Sequence, residues 1–145
     1  VMMQTENPVC ALFGHRHVES GLGAILDRAI EHMIVDRGVR TFLVGGQGEF
    51  DRMAIAALVR MKAKYPFLDA AEVLAYPPRG GEHPLPTIYP EGLERVPKRL
   101  CYLRRNDWMA RRADVVLAYV RARGGAAKGV ETARRLGKEI QYLIQ

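Results

Sequence analysis

The strongest constraint in this sequence is a repeated pattern: a short apolar run closes on glycine or a break, and an amphipathic helical pattern follows. "VCALFG" (9–14) precedes a helix whose apolar stripe is Leu22, Ile25, Leu26, Ala29, Met33 and Ile34, with Gly38 as its stop. "TFLVGG" (41–46) precedes a helix striped by Met53, Ala54, Ala57, Leu58 and Met61, with Pro66 beyond its end. "EVLAY" (72–76) reads as a third strand. Residues 77–97, rich in proline and glycine, read as an ordered loop or lid. A basic helix over 99–112, a strand "DVVLAYV" (114–120), a helix over 127–136 and a last strand "IQYLI" (140–144) complete the order. Apolar strands alternating with helices require a parallel sheet covered on both faces, because right-handed crossovers lay each helix against it. The expectation is an α/β, Rossmann-like, doubly wound and mainly parallel five-stranded sheet with helices on both faces. Residues 1–145 form a single domain, with no internal repeat or linker.

Composition narrows the class of partner. The chain has 145 residues, 48% of them hydrophobic and 26% charged, which suits one globular domain with a buried core. Its apolar runs are too short to cross a bilayer and its N-terminus lacks a basic segment followed by an apolar one, so a soluble cytoplasmic protein with no membrane partner is expected. The two cysteines, Cys10 and Cys101, lie in apolar segments and read as buried thiols. The formal charge of +6 favours anionic partners: nucleic acid, nucleotides or phosphate esters.

Ligands of doubly wound sheets sit beyond the carboxyl ends of the strands, so the residues that follow each strand are the candidates. After the first strand comes Gly14, His15, Arg16 and His17, a turn with donors for an anion; His15 and His17 lack further ligands at zinc spacing, and no metal is expected. After the second come Gly45, Gly46 and Gly48, which let a ligand approach backbone N–H groups, and Asp51, a ligand contact or a helix cap. The spacing is neither GxGxxG nor GxxxxGK[ST], so no dinucleotide or ATP cofactor is expected. After the fourth come Gly124, Gly125, Ala126, Lys128 and Gly129, running into a helix that carries Glu131 about one turn in. Paired glycines before a helix start build a donor-rich anion cradle, to which Lys128 adds a full charge. These turns together point to one pocket for a phosphate-bearing small molecule.

The segments "FGHR", "FLVGGQGEFD", "VLAYPP", "RRNDWMARRADVVLAYV" and "GGAAKGVETARRLGK" resemble the SLOG superfamily, specifically its small YpsA-like members, from Leu12 to Ile144. The resemblance implies a Rossmann-like fold that binds nucleotides or nucleotide-derived ligands. A further likeness runs to LOG-type phosphoribohydrolases, which cleave the base from nucleoside 5′-monophosphates and carry RKxxM followed by PGGxGTxxE. Arg105 and Met109 match the first motif, and Gly124, Gly125 and Glu131 the second. Arg123 replaces the proline, Ala127 the third glycine and Lys128 the threonine. LOG relatives commonly form dimers, so the analogy admits a homodimer.

The resulting expectation is a nucleotide-binding domain that either senses its ligand or hydrolyses an N-glycosidic bond. Breaking that bond develops positive charge on the sugar, which a carboxylate can stabilise; Glu131 would take that role and Arg105 would fix the phosphate or a sugar hydroxyl. Tyr76 and Trp108 are the aromatics expected to lie against a base. The alternative is single-stranded nucleic-acid binding: Arg95, Lys98, Arg99, Arg104, Arg105, Arg111 and Arg112 form a basic stretch interleaved with Tyr102 and Trp108, and the related DprA proteins bind single-stranded DNA. A non-catalytic interaction module with a vestigial pocket is a third reading.

Overall fold

A computed structural model describes residues 7–120 and 124–144. The chain runs β1 (Val9–Gly14), α1 (Leu22–Val35), β2 (Thr41–Val44), α2 (Gly48–Lys64), β3 (Asp69–Val73), β4 (Thr87–Ile88), α3 (Cys101–Arg112), β5 (Val115–Tyr119), α4 (Gly125–Arg135) and β6 (Glu139–Tyr142). All pairings are parallel, in the order β4-β3-β2-β1-β5-β6. The chain builds outward from β1 to one edge, then returns to β1's other side, so the reversal of strand order falls between β1 and β5.

Alternation along the strands divides the core into two layers. Cys10 and Leu12 of β1, Phe42 and Val44 of β2, and Val115, Leu117 and Tyr119 of β5 pack with Leu26, Ile30, Met33, Ala54 and Leu58 of α1 and α2. The intervening Ala11, Phe13, Leu43, Val116 and Ala118 pack with Met109, Ala110, Val130 and Ala133 of α3 and α4. This parity explains why these strands read as continuous apolar runs: each face is covered by a helix pair. Among the described residues, no helix is long and apolar enough to cross a membrane.

The sheet has six strands where five were expected. The additional one, β4, is two residues long and lies inside the proline-rich 77–97 stretch, held by Glu72 N–H to Pro86 O and Leu74 N–H to Ile88 O. The third strand also starts and stops three residues earlier than 72–76. Its register with β2 ends at Val44↔Glu72, because β2 turns away at Gly45 and leaves the following residues nothing to pair with on that side. Ala75 instead joins Leu93 and Cys101 in a small satellite core with Tyr76, Tyr89, Val96 and Tyr102, which fastens the 77–97 stretch to α3. The helix expected over 127–136 begins two residues earlier, at Gly125.

Two glycines predict opposite stability effects. A Cβ at Gly129 would stand 2.7 Å from Cε1 of the core ring Phe13, so Gly129→Val should overpack the α4–β1 contact and cost about 1–3 kcal/mol. Gly23, inside α1, has open space around it, and Gly23→Ala should stabilise by about 0.5–1 kcal/mol. Urea unfolding midpoints of the two variants against wild type check both signs.

Candidate functional site

Beyond the carboxyl ends of β1, β2 and β5 lies a cavity of about 410 Å³. The turn after β1 contributes Gly14, His15 and Arg16; the turn after β2 contributes Gly45, Gln47 and Asp51; the start of α4 contributes Gly124, Gly125 and Ala126. The fourth wall is α3 and the turn before it, through Arg99, Tyr102, Leu103, Arg105, Asn106 and Met109. Arg16, Arg99 and Arg105 stand against a single lining carboxyl, Asp51, so the cavity is electropositive. The first-turn N–H groups of α4 add to it, since they have no partner within their own helix.

Arg105 holds these walls together. It is 3% exposed, and its guanidinium donates in three directions: Nη1 to Val73 O (2.8 Å), Nη2 to Gln47 Oε1 (2.7 Å) and Nε to Asn106 Oδ1 (2.8 Å). Asn106 passes the connection on through Nδ2 to Gly125 O at 3.2 Å. One side chain on α3 therefore fixes the end of β3, the entry to α2 and the start of α4. Gly45 makes room for it, because a Cβ there would lie 2.9 Å from the guanidinium carbon. Burial pulls the Arg105 pKa downward while the nearby Asp51 pushes it back, and the group remains a cation.

Asp51 is 7% exposed and accepts the Gln47 N–H at Oδ2 (3.0 Å), closing the first turn of α2. Removal from water raises its pKa to about 6, against the opposing pull of that hydrogen bond and of Arg105. The adjoining turns are joined by Glu49 N–H to Arg16 O at 2.8 Å. Below the cavity, Tyr119 stacks on Phe50, and Gly14 lies so close to the Phe50 ring that a Cβ would fall 2.1 Å from it.

The structure therefore brings together Gly14, His15, Arg16, Gly45, Asp51, Arg105, Gly124, Gly125 and Ala126. It places the other expected site residues elsewhere. Gly46 faces the Glu72 carboxylate and Gly48 faces Arg16. Tyr76 bonds to Lys98 O and packs edge-on against Tyr102, which takes the cavity-lining place. Trp108 lies on the far side of α3 under Arg112, whose guanidinium carbon is 3.7 Å from the ring centroid. Lys128, Gly129 and Glu131 line a second concavity, a groove of about 400 Å³ between α3 and α4. Glu131 there pairs with Arg134 at 2.8 Å.

Glu131 is separated from the diglycine corner by helix geometry. With α4 starting at Gly125, Glu131 is six residues in, about 9 Å along and about 240° around the axis. The later helix start expected from sequence had placed it one turn in. Arg123, on the motif's proline position, lies outside the described residues. Arg99, Tyr102, Leu103 and Asn106 were not singled out as pocket residues, although their spacing of three, one and three marks one face of a helix.

No family model matches this chain, and no curated protein matches it in sequence. Among solved structures, DNA processing protein A from Helicobacter pylori, described for its single-stranded DNA binding mode, is similar with a TM-score of 0.64 at 14% sequence identity. The match covers 96% of this chain and 66% of that one, so this chain spans only part of its neighbour's length. At that identity the likeness is one of fold.

Two expected outcomes follow from the buried groups. Arg105→Lys keeps the charge but cannot donate in three fixed directions, so it should destabilise by about 2–4 kcal/mol in urea unfolding. Asp51, with a folded pKa raised from 3.8 to about 6, contributes stability that is fully present below pH 3.8 and lost as pH rises through 6. The Tm of wild type relative to Asp51→Asn should therefore fall across that window, by the equivalent of up to about 3 kcal/mol.

Proposed function

We propose that this protein binds single-stranded nucleic acid, seating one phosphate of the strand at the diglycine corner and running the neighbouring phosphates along the groove between α3 and α4. The observation that carries this reading is adjacency: Leu103 and Asn106 line both the cavity and the groove, so the two concavities lie side by side along α3. Arg16 and Arg99 line the cavity, and Arg104, Lys128 and Arg135 line the groove. The groove's carboxylates, Asp107 and Glu131, are each engaged by an arginine, Arg111 and Arg134. A basic track with an aromatic ring, Tyr102, at one end suits a flexible strand whose backbone is followed by charge and whose base can stack. The fold likeness to a protein described for binding single-stranded DNA supports the same class of partner.

A free nucleoside phosphate is the second reading, and the depth and glycine lining of the cavity favour it. Glycosidic cleavage by Glu131 has less support, because that carboxylate stands in the groove and is paired with Arg134. The carboxyl that faces the cavity belongs to Asp51.

Fluorescence anisotropy of a labelled oligothymidylate, measured over a range of salt concentrations, tests the strand reading. Binding should weaken steeply with salt, with a log–log slope of about −0.7 per phosphate contacted. Charge reversal at Arg104, Lys128 and Arg135 together should flatten that slope and weaken binding by at least about tenfold. Thermal stabilisation by mononucleotides in the same variant should persist. Stabilisation by mononucleotides with no oligonucleotide binding at any salt would select the free-nucleotide reading instead.

A further inference from the structure

Asp51 presents a chemical puzzle inside an otherwise cationic cavity. It is 7% exposed, and among the described residues no cation comes within ion-pair distance of it. A carboxyl in that setting is costly to bury and repels the anion the cavity otherwise attracts. Its helix-closing role uses only one oxygen: Oδ2 accepts the Gln47 N–H. The other oxygen, Oδ1, has no partner among the described residues, yet no buried side-chain oxygen among them lacks one. Oδ1 is therefore accessible, and the space that Asp51 lines is the cavity.

This combination of a positive rim and a single inward-facing acceptor specifies the chemistry of an occupant. Arg16, Arg99 and the first turn of α4 take an anion. Asp51 Oδ1 takes a neutral hydrogen-bond donor and opposes a second negative group at the same place. We propose that Asp51 is a specificity-determining residue: through Oδ1 it accepts a hydrogen bond from a hydroxyl or amino group on the moiety esterified to the seated phosphate, and so selects a sugar phosphate or nucleotide over a simple alkyl phosphate. The inference rests on the phosphate seat described above, and it holds whether the phosphate belongs to a free molecule or to a strand. Sites built to hydrogen-bond a substrate group reject analogues lacking it far more strongly than apolar pockets reject a missing methylene.

The geometry also supplies a sharp variant. Because the Gln47 N–H holds one side of the carboxyl, Asp51→Asn must turn its carbonyl oxygen to that N–H and its NH₂ into the cavity. The change is nearly isosteric and converts the inward acceptor into a donor.

The experiment is an NMR titration at pH 8 of wild type and Asp51→Asn with methyl phosphate, ribose 5-phosphate and 2-deoxyribose 5-phosphate. Wild type should bind ribose 5-phosphate at least about tenfold more tightly than methyl phosphate, the scale of one charge-assisted hydrogen bond. Asp51→Asn should abolish the preference while binding methyl phosphate as well as wild type does or better. Loss of the preference in wild type with 2-deoxyribose 5-phosphate places the donor at the 2-hydroxyl; its retention places it elsewhere on the sugar, and both support the inference. Equal wild-type affinity for methyl phosphate and ribose 5-phosphate overturns it, a comparison that stands even if the variant fails to fold. A preference that survives in Asp51→Asn also overturns it. If no probe binds wild type, the phosphate seat falls, and this inference falls with it.

Discussion

The site depends on the enclosed guanidinium of Arg105. Segments distant in sequence have to stay in register before a cavity exists between them, and two of them, the end of β3 and the entry to α2, are tied to α3 by one planar cation with fixed donor directions. A third, the start of α4, is reached through Asn106, the next residue on the same helix and itself bonded to Arg105. A buried cation without partners would be expelled or would unfold its surroundings, so the carbonyls around Arg105 and the cation constrain each other. The cavity walls are thus set by the protein itself and require no ligand to assemble.

This hub lies at the strand-order reversal of the sheet, which explains the position of the cavity. Between β1 and β5 the crossovers part to opposite sides, leaving the strand ends uncovered. The two faces then serve different ends. On one, α1 and α2 bring large apolar side chains such as Leu26, Ile30, Met33 and Leu58 and contribute mostly stability. On the other, α4 meets β1 through Gly129, Val130 and Ala133, and that close seating carries the helix start up to the strand ends. The groove between α3 and α4 adjoins the cavity, with Leu103 and Asn106 of α3 facing both.

The layered architecture was readable in the sequence because the three central strands, β1, β2 and β5, are apolar runs and the helices carry clear stripes. The glycine turns after β1, β2 and β5 were readable for the same reason, since each ends a run. β4 was not: two residues among prolines carry no periodicity, and their pairing is decided by β3. Helix phase was the other hidden quantity. Glu131 matched a motif by position, yet the earlier start of α4 rotated it into the groove. Arg99, Tyr102 and Asn106 were hidden inside a run of charges, where which side of α3 meets the cavity depends on how α4 packs against it. Arg105 was expected to hold a ligand, and its three hydrogen bonds to the protein gave no sign of themselves in the one-dimensional pattern.

The brevity of β4 has a consequence for how copies of this protein meet. Pro86 O and Ile88 O are turned to β3, so within this two-residue strand only Thr87 presents its backbone to the open side. An outer rim that offers so few amide groups gives another chain no template on which to extend the ladder. Two copies that meet side by side at this edge therefore keep their sheets separate.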